Sequence, residues 1–143
     1  MKINPVYKLF TPEEIFIDIP VDELPKPEEV INLIEFRETG IEFLDTFFQI
    51  MKGRRRIQIG QIAKRMQIER LMLWHTVTAL TGISPQEWMI LYAYKNCCNL
   101  LKYTSLEMSD VAKLAGFNSA SAFTQFFMRM QKLSPGEWRK ANK

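Results

Sequence analysis

Histidine is almost missing from this 143-residue chain: His75 is the only one. Cysteine occurs twice, as the neighbours Cys97 and Cys98. Adjacent cysteines rarely bridge one another, and one histidine with two thiols offers no ligand set for a metal ion. Free thiols are therefore the expected state of Cys97 and Cys98, which fits a reducing compartment. Glycine is scarce too, six in all, and none of it forms a glycine-rich phosphate loop. No nucleophile stands beside a candidate base, so neither an enzyme nor a cofactor is expected. Long apolar runs are absent, which excludes a membrane-spanning helix. The first twenty residues hold prolines and acids in place of an unbroken apolar stretch. A secretory signal is therefore not expected, and a cytoplasmic location is.

Carboxylates thin out along the chain. Residues 1–50 hold four Lys and Arg against eleven Asp and Glu, a net charge of −7; residues 51–143 hold fifteen against five, a net charge of +10. A basic region behind an acidic segment predicts a polyanionic partner for the basic part. The length suits one domain plus an extension and is enough to bury a real core. The densest basic run is Lys52-Gly53-Arg54-Arg55-Arg56. Arg54, Arg55 and Arg56 are candidate phosphate contacts, which set affinity and salt dependence and leave sequence choice to other residues.

Two helices and a turn are written near the C-terminus. Val111, Ala112, Leu114 and Ala115 follow helical spacing, and Gly116 then breaks the run where a positive φ favours glycine. Phe117 is an anchor, and Asn118 or Ser119 can cap the next helix. Phe123, Phe126, Phe127 and Met130 recur at i, i+3, i+4 and i+7, one buried face. Helix, glycine turn and second helix with small polar residues outward is the plan of a helix-turn-helix.

The stretch DVAKLAGFNSASAFTQFF, followed by LSPGEWR, resembles the second helix-turn-helix of the AraC/XylS family of transcription regulators. Met108, Val111, Ala112, Gly116, Phe117, Ser121, Phe123, Phe127, Pro135, Trp138 and Arg139 fall in that family's register. Upstream, Ile62-Ala63, Met66-Gln67-Ile68, Leu73, Val77, Gly82, Ser84-Pro85 and Trp88 resemble its first unit. Between them, Met89, Tyr92, Asn96, Leu100 and Tyr103 keep helix spacing. The resemblance covers about residues 41–143. It implies an all-α fold of two homeodomain-like helix-turn-helix subdomains, at about 57–84 and about 106–140, joined by a long helix at about 85–103. Residues 1–40 then form an acidic N-terminal extension. The implied function is transcription regulation, with double-stranded DNA as partner and two recognition helices inserted into major-groove faces about one turn, roughly 34 Å, apart.

By that register the first reading helix, about residues 69–80, turns Arg70, Leu71, Trp74 and His75 outward. The second, about residues 119–131, presents Ala120, Ser121 and Gln125 to bases, with Ser119, Thr124 and Arg129 towards phosphates. Gln125 is the best base reader, because an amide pairs bidentately with adenine. Leu71 and Trp74 cannot do this, but can meet a thymine methyl group. The family often has arginine where His75 and Gln125 stand and where the joining helix has Ala93, glycine at Lys132, and lysine at Met128. Framework residues are thus kept while hydrogen-bonding readers are lost, which predicts modest or shape-led specificity. Two alternatives follow. The unit could be a degenerate helix-turn-helix that binds a protein through Leu71, Met72 and Trp74; RNA polymerase is a separate candidate partner. It could also be an architectural or recombination-associated DNA-binding protein.

The N-terminal region gives mixed signals. Thr11-Pro12-Glu13-Glu14 reads as the start of a short helix, whereas Ile15, Ile17 and Ile19 alternate as in a strand. Pro27-Glu28-Glu29 starts a helix continued by Val30, Ile31, Leu33 and Ile34 and interrupted at Thr39-Gly40. The helix expected at 41–52 carries two apolar faces, Ile41, Leu44, Phe48 and Met51 beside Phe43, Phe47 and Ile50, more than one core needs. Either residues 1–35 fold back over the surplus, or residues 1–50 make a homodimer contact. About forty residues are too few for a cupin-like sensing barrel, so no ligand-sensing domain of its own is expected. A further expectation is that residues 1–40 compete electrostatically with DNA for the basic face.

Overall fold

The computed structural model describes residues 10–54 and 56–143. It begins with one helical turn, α1 (Pro12–Ile15), strand β1 (Phe16–Asp18), a 3₁₀ helix (Pro27–Asn32) and strand β2 (Ile34–Phe36). Seven helices follow: α2 (Glu42–Met51), α3 (Ile59–Met66), α4 (Arg70–Thr81), α5 (Pro85–Tyr103), α6 (Met108–Leu114), α7 (Ala120–Gln131) and α8 (Pro135–Asn142). The α3–α4 and α6–α7 pairs are the two helix-turn-helix units, and α5 joins them.

Local chemistry sets the starts of α5 and α8. Ser84 caps α5 by accepting the Glu87 N–H at 3.1 Å, with Pro85 in the first turn, where its missing N–H costs no hydrogen bond. Ser134 does the same for α8, and the Glu137 carboxylate accepts the Ser134 N–H in return, a complete capping box.

Helix α5 serves two cores. Its first half sends Trp88 and Tyr92 into a core with Leu44, Phe47 and Phe48 of α2, Ile62 of α3, and Leu73 and Val77 of α4. The Trp88 indole donates to the Thr81 hydroxyl at 3.1 Å and meets the Phe48 ring edge-on at 5.0 Å. Its second half sends Cys97, Leu100 and Leu101 into a core with Val111, Ala112, Phe123 and Phe127. Arg139 fastens α8 to the end of α5, its Nε donating to the Leu101 carbonyl at 2.9 Å and a terminal nitrogen to the Leu106 carbonyl at 2.6 Å.

In the N-terminal segment both local readings hold in succession: Pro12–Ile15 is helical and Phe16–Asp18 extended. The helix expected to continue from Pro27 past Ile34 ends at Asn32 as a 3₁₀ turn. Residues 34–36 are extended and pair antiparallel with β1, Phe16 opposite Phe36 and Asp18 opposite Ile34. The reason is directional. Ile34 and Phe36 are both buried in the first core, and only an extended backbone aims residues i and i+2 to one side. The all-α expectation thus holds for the two units, and a short ribbon is added beside them.

Part of the apolar width of α2 is covered by the chain itself, while Phe43 and Ile50 stay partly exposed. Phe36 stacks on Phe48 with ring centroids 5.1 Å apart, and Phe16 lies 5.5 Å from Phe36. Val30, on the 3₁₀ helix, is fully buried in the second core. Residues 15–36 therefore form a strap that reaches both cores across α5.

Candidate nucleic-acid interface

The two units close their turns in the same way. At the end of α3, Gln67 adopts φ 60°, its N–H meeting the Lys64 carbonyl and the Ile68 N–H that of Ala63, both at 3.1 Å. At the end of α6, Gly116 adopts φ 91°, its N–H meeting Lys113 at 3.1 Å and the Phe117 N–H meeting Ala112 at 2.9 Å. Both are the double hydrogen-bond closure of a left-handed helix cap.

From α4 and α7 onward the units repeat in register. Leu73 corresponds to Phe123, Val77 to Phe127, and Gly82 (φ 76°) to Lys132 (φ 69°). Ser84-Pro85-Gln86-Glu87-Trp88 corresponds to Ser134-Pro135-Gly136-Glu137-Trp138. In this register Arg70, Leu71, Trp74 and His75 of α4 stand where α7 has Ala120, Ser121, Thr124 and Gln125. The repeated S-P-x-E-W was visible in the sequence and would have aligned the units directly.

Arg70, Leu71, Trp74 and His75 are all exposed on α4. On α7, Ser121, Gln125 and Arg129 are exposed, whereas Ala120 and Thr124 are half-buried. Ser119 is exposed but engaged, because its hydroxyl accepts the Ala122 N–H at 3.1 Å as the cap of α7.

A groove of about 820 Å³ runs between the units. Arg70 lines it from α4, Gln125 and Arg129 from α7, and Arg56 from the loop before α3. Gln58, and Asn118, which was expected only as a helix cap, line it too, and it has no carboxylate in its wall. Leu71, Trp74, His75, Ala120, Ser121, Ser119, Thr124 and Arg54 lie outside its wall.

The basic loop is not a row of free charges. Arg54 turns back on α2, its Nε donating to the Ile50 carbonyl at 2.5 Å, where a cation suits a helix C-terminus. Arg55 lies outside the described residues. Arg56, exposed, holds its guanidinium 4.3 Å from the centre of the Phe117 ring and 5.7 Å from that of Phe126. It thus links the loop of the first unit to the turn of the second, a role that no local pattern around residue 56 could have signalled.

Three acids of the N-terminal region pair elsewhere. Glu35 meets Lys52 at 2.5 Å, Asp18 meets Lys95 at 3.3 Å and Glu14 meets Arg37 at 3.9 Å. None of these carboxylates lines the groove, so the expected competition for the basic face has no counterpart in these contacts. Among the described residues no group of three or more His, Cys, Asp and Glu could hold a metal ion. No helix among them is long and apolar enough to cross a membrane.

Residues 62–141 match the family described as a helix-turn-helix domain. The chain is 25% identical over 111 residues to the lactose operon transcription activator of Staphylococcus xylosus, an alignment covering 78% of this chain and 37% of that protein. It therefore spans little more than a third of that relative's length. A transcriptional regulator of the AraC-type DNA-binding class from Chromobacterium violaceum matches in structure with a TM-score of 0.64 at 18% identity, over 71% of this chain and 92% of that one. The DNA-binding domain of AdpA, a global transcriptional factor solved with a target DNA, matches with a TM-score of 0.62 at 23% identity, over 69% of this chain and 90% of that one. These structural likenesses establish the shared fold. With more than half of its residues in the family match, the chain belongs to the helix-turn-helix domain family, as a DNA-binding domain of the AraC type of transcription regulator.

Proposed function

We propose that this chain regulates transcription by binding double-stranded DNA along its groove face, with α4 and α7 entering successive major-groove faces. One observation carries the reading. The groove gathers Arg56, Arg70 and Arg129 from three elements onto one concave wall that contains no carboxylate. Such a wall favours a polyanion along its whole length. The AdpA domain bound to a target DNA supports it by likeness of fold. In this reading Arg70, Leu71, Trp74 and His75 meet bases from α4, and Ala120, Ser121 and Gln125 from α7. Arg56 and Arg129 hold phosphates from the groove wall, with Arg55, Ser119 and Thr124 as further phosphate contacts, and Arg54 joins them only by releasing the Ile50 carbonyl.

The test is selection from a random duplex library, followed by affinity measurement over a salt series. The expected result is a recovered motif with log affinity falling linearly against log salt, by about 0.9 for each phosphate neutralised. Arg129→Ala should weaken all sequences alike and flatten that slope by about one contact. Gln125→Ala should cost about 1–3 kcal/mol and relax a single position of the motif. No binding at low salt would overturn the proposal. It would favour the second reading, a protein partner docked on the exposed Leu71, Met72 and Trp74 of α4.

A further inference from the structure

Leu71, Met72 and Trp74 are 67%, 54% and 38% exposed. A single exposed apolar side chain is ordinary, but three within the first five residues of one helix are not. Among the described residues, the other large exposed apolar side chains, Ile17, Leu24, Met128 and Leu133, lie outside α4. The three are not needed by the core either. Leu73 and Val77 supply the buried face of α4, and all three lie outside the buried cluster of the first core.

Position sharpens the point. In the register of the two units, Leu71 and Trp74 stand where α7 carries the hydroxyls of Ser121 and Thr124. Arg70, their neighbour, lines the groove. The two reading helices thus present opposite chemistry at equivalent places. In the major groove the C5-methyl group of thymine is the one apolar feature among base edges that otherwise offer donors and acceptors. An apolar tip pressed on guanine, cytosine or adenine strands those polar groups without partners, which is costly. Pressed on thymine it buries a methyl group.

Resting on the DNA-binding proposal, we infer that α4 selects its half-site through thymine methyl groups held by Leu71 and Trp74, while α7 selects by hydrogen bonds. The operator is then bipartite in chemistry, with one half read by methyl contact and the other by polar contact.

The experiment uses the full chain and the duplex recovered by selection, with deoxyuridine replacing thymidine one position at a time. Uracil pairs as thymine does and lacks only the methyl group. Affinity should fall by about fourfold per critical methyl, and only in one half of the site. Leu71→Ala or Trp74→Ala should each erase the sensitivity at one position, while Gln125→Ala leaves it intact. Both alanine variants should keep the helical circular-dichroism signal of the parent, since neither side chain belongs to a buried core cluster. Equal affinity for every deoxyuridine duplex would overturn the inference, as would methyl sensitivity undiminished in both alanine variants. Those results would leave DNA binding standing. Failure to bind any duplex at low salt would remove both together.

Discussion

Gln67 (φ 60°) and Lys132 (φ 69°) are the described non-glycine residues held in the left-handed region, each closing a helix. Their counterparts in the other unit, Gly116 and Gly82, are glycines. A side chain there crowds the following carbonyl, a strain of about 1–2 kcal/mol that glycine avoids, partly offset by glycine's larger entropy when unfolded. Lys132→Gly and Gln67→Gly should therefore each raise unfolding free energy by up to about 1 kcal/mol in urea titrations. A lower midpoint in both would count against the strain argument. Cys97 gives a second prediction at this scale. Burial, with Cys98 beside it, pushes its thiol above the usual 9.0, and burial likewise pushes the Tyr94 phenol up to about 12. A group whose value is raised by folding contributes stability that is complete below its unfolded value and lost as pH climbs towards the folded one. The urea midpoint should thus hold steady near neutrality and decline above about pH 9. Cys97→Ala should make that decline shallower, and an unchanged slope would assign it elsewhere. The free thiol was legible in the sequence, because the cysteine count leaves no plausible bridge. The left-handed backbone at Lys132 was legible only through family register, and that at Gln67 was not legible at all, since glutamine carries no signature of that conformation.

Elements whose signals are local were only partly read. Pro85 marks the start of α5, whereas the capping box that starts α8 passed unread although Ser134, Pro135 and Glu137 act within one turn. Ser84→Ala and Ser134→Ala should each cost about 1 kcal/mol by thermal or urea unfolding. A neutral result at both would mean that packing of Trp88 and Trp138, and not the caps, holds these helices. Elements whose form depends on distant partners were read less well. Val30, Ile31, Leu33 and Ile34 satisfy helical spacing, yet the chain turns extended at Ile34 because its neighbours lie in two cores. Val30 belongs with Leu100, and Phe36 belongs with Phe48. No local propensity distinguishes those destinations. The groove shows the same division. Gln125 and Arg129 were recognised from the register of the family resemblance, whereas Arg56 on Phe117 joins residues far apart in sequence.

At the scale of the molecule, the acidic strap decides how the basic units are held. Through Ile15, Phe16, Ile34 and Phe36 it completes the first core, and through Val30 the second. Val30→Ala removes two buried methyl groups and should cost about 2 kcal/mol by denaturation, with the groove unchanged. Deleting the strap through Phe36 should broaden or abolish cooperative unfolding. Truncation that leaves the melting midpoint intact and raises DNA affinity would restore the competitive role instead. The sequence by itself determined the helix-turn-helix pattern, the joining helix and the segregation of charge, because periodicity, caps and composition act over a few residues. Only the tertiary structure decided that the strap is part of both cores, that Arg56 spans the units, and that three arginines share one carboxylate-free wall. Those outcomes depend on which buried faces meet across α5, and long-range packing leaves no mark within any short window of sequence.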